Sequence, residues 1–168
     1  MVSEDVRERI VSYIRHQATK PTEAIAALLA DSQGRLIEVV SACDDAAASR
    51  SPGPDEWSMR ELVRHVIAAE RGVTTLVETL ARSQLPQGER RAASMADDAP
   101  YSVLLGELRT TNERMLAAVR GLPADADLVA TAAHPFFGEM NCREWAAFQR
   151  VHDEDHIQHA RKIAASGA

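Results

Sequence analysis

Apolar residues recur at three- and four-residue spacing along most of the chain, and the breaks in that rhythm divide it into helices. Val6, Ile10, Tyr13 and Ile14 share one side of a short helix over 3–17, which the polar stretch Ala18-Thr19-Lys20-Pro21 interrupts. From 21 to about 46, Ile25, Leu28, Leu29, Leu36, Val39, Val40 and Cys43 form one stripe, with Cys43 as a small buried apolar residue. The run 49–54, Ser-Arg-Ser-Pro-Gly-Pro, is a loop by composition.

The clearest helix start follows. Ser58 and Glu61 make a capping box, and Trp57 with Leu62 a hydrophobic staple, opening a helix over 55–83. Its stripe runs Leu62, His65, Val66, Ala69, Val73, Leu76, Val77, Leu80. Residues 84–100 are polar and read as a loop that can carry a short helical turn. Leu105, Leu108, Met115, Leu116 and Val119 mark a helix over 101–120, ended by Gly121 and Pro123. A second long connection, 122–140, contains His134-Pro135-Phe136-Phe137-Gly138. Asn141 with Glu144 then repeats the capping box, and Met140 with Trp145 the staple, at the start of the last helix.

Four long helices with two extended connections predict an all-α four-helix bundle over 21–168, preceded by an N-terminal helical extension over 1–20. Composition agrees: 45% of the 168 residues are hydrophobic but only 4% aromatic, a balance that suits close-packed helices better than a sheet.

The chemistry sits on the last helix. Trp145, Phe148, His152, His156, His159 and Ile163 fall on one stripe, so imidazoles stand where a core helix would carry leucines. Burying them costs free energy unless each finds a partner, and a metal ion suits two imidazoles at i and i+4, as His152 and His156 are. His65, in the stripe of another helix, is the candidate third ligand. A three-ligand site leaves positions open for water or substrate. His156–His159 is an alternative pair, and His159 is equally placed as a hydrogen-bond donor one turn deeper. His134, in a loop before a proline, suits a pocket mouth. Asp153, Glu154 and Asp155 lie off the stripe and are expected in solvent, as are His16 and Glu70, for which a base near the site's mouth is the alternative. Cys142, in a first helical turn, is placed for a lowered thiol pKa but has no base beside it in sequence.

A formal net charge of −6, with no basic stripe, argues against nucleic acid. No apolar run approaches a membrane span of ~20 residues and the N-terminus lacks a signal-peptide pattern, so a cytoplasmic protein is expected. Cys43 and Cys142 make neither a disulfide framework nor a zinc cluster.

Taken in order, Trp57-Ser58, His65, His134-Pro135-Phe136-Phe137-Gly138, Glu144-Trp145 and His152 with His156 resemble the DinB-like (YfiT-like) metalloenzyme superfamily across roughly 21–165. The resemblance implies an up-down-down-up bundle and a divalent transition metal, zinc or nickel, held by His65, His152 and His156. It also implies a small-molecule substrate and a homodimer. Characterised relatives include transferases that use a low-molecular-weight thiol and a thiol-dependent maleylpyruvate isomerase. The expected function is therefore thiol S-transfer to a small electrophile. The runners-up are metal-dependent hydrolysis of a small amide or ester and a non-catalytic metal- or small-ligand-binding stress protein. The family usually carries glutamine or another polar residue where this chain has His159, and the N-terminal extension lies outside the resemblance.

Overall fold

The computed structural model describes residues 3–84 and 99–166. In chain order the elements are α1 (Glu4–Ala18), α2 (Thr22–Val40), α3 (Asp45–Ala48), α4 (Met59–Leu80), α5 (Tyr101–Arg120), β1 (Ala132–His134), β2 (Gly138–Met140) and α6 (Cys142–Ser166). Both capping boxes form. Ser58 accepts from the Glu61 amide while the Glu61 carboxylate accepts from the Ser58 amide, and Asn141 and Glu144 do the same for α6. These bonds satisfy helix-end donors that have no intrahelical partner.

Helices α2, α4, α5 and α6 form a four-helix bundle, and their cross-contacts give its directions. Arg60 reaches the carbonyl of Ala99, just before α5, while Arg71 pairs with Glu107 and Thr74 meets Met115, so α4 and α5 run parallel. Ser32 meets Asp153 and Arg35 meets Glu154, in the same sense along α2 and α6. Across the other pairs the order reverses: Tyr101 donates to the Val40 carbonyl while Arg120 pairs with Glu23, and Glu56 pairs with Lys162. The result is up-down-down-up. Long connections are what allow two consecutive helices to run parallel. Helix α1 packs on α6, where Arg143 donates to the Ala18 and Lys20 carbonyls and Arg150 to the Tyr13 hydroxyl. Ile14 of α1 is thereby buried in the same core as Trp145 and Phe148.

The core has two apolar halves, one around Leu29, Leu76 and Trp145 and one around Leu36, Leu62 and Leu104. Between them lies a polar layer to which all four bundle helices contribute. Glu70 and Asp153 are 0% and 1% exposed, a correction to the expectation of solvated positions. Glu70 accepts from Gln33 at 2.5 Å and, with the Asn112 amide oriented to satisfy its surroundings, from Asn112 at 2.7 Å. Asp153 accepts from Ser32 and Gln149, each at 2.8 Å. Buried carboxylates persist only with such donors. Burial, and for Glu70 the neighbouring Asp153, holds both carboxyls well above the ordinary carboxylate range.

Other expectations shift locally. Helix α2 ends at Val40 rather than near Ala46, because Asp44 caps the separate short helix α3. Cys43 then lies beyond the helix, half-buried. The 122–140 connection carries an antiparallel hairpin, β1 pairing with β2 from Ala132↔Met140 to His134↔Gly138. Gly138 has φ +81°, a left-handed conformation that glycine adopts without penalty, and it closes the turn through Pro135–Phe137. The loop expected over 84–100, with its helical turn, lies outside the described residues except at its ends. No helix among the described residues is long and apolar enough to cross a membrane.

Candidate metal centre

Antiparallel packing of α4 on α6 brings His65 opposite His152 and His156. One ring nitrogen from each of the three lies within 4.8 Å of the others. The His152 and His156 Nε2 atoms are 3.1 Å apart, with ring centroids at 4.4 Å, the geometry that i, i+4 spacing gives two imidazoles on one face. His65 stands 4.8 Å from His156 and 5.5 Å from His152, centroid to centroid. Burial is graded: His156 is buried, His152 half-buried and His65 exposed, so the cluster opens to solvent on the α4 side. His65 is thus not the core residue that the α4 stripe suggested. It sits at the edge of the arc whose centre is Leu62, Val66 and Val73.

Mutual repulsion and desolvation keep these imidazoles neutral. Burial, then the neighbouring His156, His65 and His134, pushes His152 down to about 3, and burial with His65 pushes His156 down to about 4. His65 is lowered as well, by burial and then by His159. A neutral imidazole is the form that ligates. The fit to a cation follows from atoms already in place: two ligands each ~2.0–2.1 Å from one ion stand roughly 3 Å apart, as these two Nε2 atoms do. The Nδ1 atoms of His152 and His156 are buried with no hydrogen-bond partner among the described residues. That leaves the Nε2 edges, which converge, as the side of each ring turned toward a common point.

Aromatic rings wall the cluster. Trp57, 38% exposed, lies 4.9 Å from His65 and stacks on His159 at 5.5 Å. His159 therefore packs under the indole and beside His156, at 6.2 Å between centroids, and stands outside the converging set. On the other flank Phe148 is 6.1 Å from His152 and 4.7 Å from His134. The hairpin, invisible in the sequence pattern, is what carries His134 to this flank. Cys142 is buried, and burial raises its thiol pKa, opposite to the shift expected at a first turn. Glu154 pairs with Arg35 and Arg150, and His16 is exposed as expected. Two surface grooves, of about 330 Å³ beside Arg82 and Arg114 and about 380 Å³ beside Arg15 and Arg143, include none of these histidines.

Comparison with known proteins agrees with this architecture. Residues 28–160 match the model of the DinB superfamily. The uncharacterized protein YuaE of Bacillus subtilis is 23% identical, over 71% of this chain and 84% of that protein. TT2238, a four-helix bundle protein, superposes with a TM-score of 0.62 at 22% identity, over 84% of this chain and 99% of that one. Bacillus subtilis YfiT superposes equally well, TM-score 0.62, at 16% identity over 98% of this chain and 89% of its own. YfiT is described as a probable metal-dependent hydrolase with an unusual four-helix bundle topology. At these identities the superpositions speak for the fold.

Proposed function

The chain belongs to the DinB superfamily, and from that premise we propose that it is a divalent-metal-dependent enzyme which transfers a low-molecular-weight thiol to a small electrophile. The observation that carries this reading is the convergence of three neutral imidazoles at a solvent-open, aromatic-walled point. His65, His152 and His156 would hold the ion, zinc and nickel being among the cations, with iron and copper, that suit an all-imidazole set. A cation held there supplies a Lewis acid that lowers the pKa of a coordinating thiol or water.

The chain's own residues do the rest. Burial of His156 and His152 excludes water from the inner side of the cluster, and the exposed His65 leaves the outer side open for exchange. Trp57 and Phe148 hold the imidazoles in place and offer polarizable faces to sulfur. Among the described residues the Nε2 atoms of His152 and His156 meet each other, and their Nδ1 atoms meet no carboxylate. A thiol held there loses its proton on coordination, which presents the thiolate nucleophile that the transferase reading needs. Hydrolysis of a small amide or ester is the second reading, favoured by the description of YfiT.

A thiol-dependence assay separates the two. Zinc- or nickel-loaded protein is incubated with a chromogenic haloarene or bimane electrophile, with and without a panel of low-molecular-weight thiols. Adduct formation above the spontaneous rate, only with thiol and lost in His65→Ala, is the expected outcome. Ester or amide cleavage that ignores thiol would replace the transferase reading with the hydrolytic one.

A further inference from the structure

His152 and Gln149 each carry a buried polar atom that calls for the other's kind. The Nε2 of His152 faces the Nε2 of His156 at 3.1 Å, so its Nδ1, on the opposite edge of the ring, points back toward the preceding turn of α6. In the tautomer that leaves Nε2 free for an ion, Nδ1 carries the proton. That N–H is buried with no hydrogen-bond partner among the described residues. A ligating histidine almost always donates its other ring N–H to an oxygen.

Gln149 stands one turn earlier and is 0% exposed. Its amide nitrogen donates to Asp153 Oδ1 at 2.8 Å, which carries the planar amide forward along α6 to the level of residues 152 and 153. At about 100° per residue, Asp153 lies roughly 40° to one side of Gln149 and His152 roughly 60° to the other. With the nitrogen on the Asp153 side, the amide oxygen falls on the His152 side. That oxygen is also buried and without a partner. Among the described residues one other buried side-chain oxygen lacks a partner, Gln33 Oε1, and it belongs to α2, on the amide that donates to Glu70. Asp153 is held in turn by Ser32 of α2.

We infer that Gln149 is a positioning residue for the metal centre, its Oε1 bound to the His152 Nδ1–H across one water. The water accepts from the imidazole and donates to the amide, the fewest bonds that a buried water keeps. The relay from Ser32 through Asp153 and Gln149 to His152 makes the buried polar layer the outer support of the histidine cluster, fixing the tautomer of His152 and the direction of its Nε2. The inference rests on the triad holding a metal ion. It assigns Gln149 no contact with substrate and no covalent step.

The test compares Gln149→Met with Gln33→Met by competition titration of zinc against a chromophoric chelator. Each variant removes an amide that donates to one buried carboxylate, so both should melt below the wild type. Only Gln149→Met should bind zinc more weakly, by roughly tenfold or more, with Gln33→Met close to the wild type. Nitrogen NMR of the zinc-loaded wild type should show His152 protonated at Nδ1, with that proton exchanging slowly with solvent, a readout that needs no variant to fold. Unchanged zinc affinity in Gln149→Met, equal losses in the two variants, or a His152 Nδ1 without a proton would each overturn the inference. A wild type that binds no zinc would overturn the triad reading itself, and the role of Gln149 with it.

Discussion

Glu70→Ala is expected to unfold at a markedly lower temperature than the wild type, although Glu70 lies outside the histidine cluster. Its carboxylate is the acceptor for the side-chain amides of Gln33 and Asn112, from α2 and α5, and all three are buried. Removing it strands two buried donors, each costing about 1–3 kcal/mol, and leaves a cavity besides. A loss of about 3 kcal/mol or more, or roughly 10 °C in melting temperature for a chain of this size, is expected by calorimetry. Glu70→Gln separates charge from shape. Glutamine keeps the shape but turns a donor edge toward Gln33 or Asn112, both of which donate to Glu70, so a fixed loss relative to the wild type is expected at pH 5. The folded chain holds Glu70's pKa well above its ordinary value, so it keeps a proton that the unfolded chain releases. Stability from this group is therefore full below the unfolded pKa of about 4.3 and falls as pH rises above it. Glutamine has no such dependence, and Glu70→Gln should gain on the wild type between pH 5 and pH 8. The lowered histidines act oppositely, destabilising the metal-free fold as pH drops below about 6.5, but that contribution cancels in the comparison. A constant difference between the two proteins across that range would mean that Glu70 is ionised in the fold throughout.

His156→Ala is expected to bind zinc at least 100-fold more weakly than the wild type, and His159→Ala to bind it within a few-fold. His156 is the central member of the cluster, within 4.8 Å of His65 and 4.4 Å of His152 between centroids. Residues that merely support a ligand are worth 10–100-fold in metal affinity, so loss of the ligand itself exceeds that range. His159 touches Trp57 and His156 by ring stacking, and its removal disturbs packing rather than coordination. Competition titration against a chromophoric chelator measures both. The reverse order of effects would move the ligand pair one turn along α6.

The bundle and the histidine cluster were legible because both rest on periodicity. The i, i+4 spacing of His152 and His156 and the capping boxes at Ser58 and Asn141 are local facts that packing did not alter. The polar layer was missed although it carries a signal of the same kind. In each of three helices one polar residue interrupts the core stripe at matching steps: Gln33 between Leu29 and Leu36, Glu70 between Val66 and Val73, and Asn112 between Leu108 and Met115. Read singly, each passes for the rim of an amphipathic helix, and only their coincidence at one depth makes them a layer. Asp153 adds a further reason. The α6 stripe was drawn through the histidines that face α4, whereas α6 also buries an adjacent face against α2, where Asp153 meets Ser32. A bundle helix with two neighbours buries a wider arc than one stripe. The hairpin could not be read from 132–140, where alanines carry little strand preference and the turn, not the strands, specifies the structure.

The measurement that bears most directly on the metal centre is elemental mass spectrometry of the untagged protein after reconstitution with zinc or nickel and exhaustive desalting, beside a His65→Ala, His152→Ala double variant. One transition metal per chain in the wild type, and none in a double variant that still melts cooperatively, is the expected result. A wild type that retains no metal, or a double variant that retains as much as the wild type, would contradict a three-histidine centre.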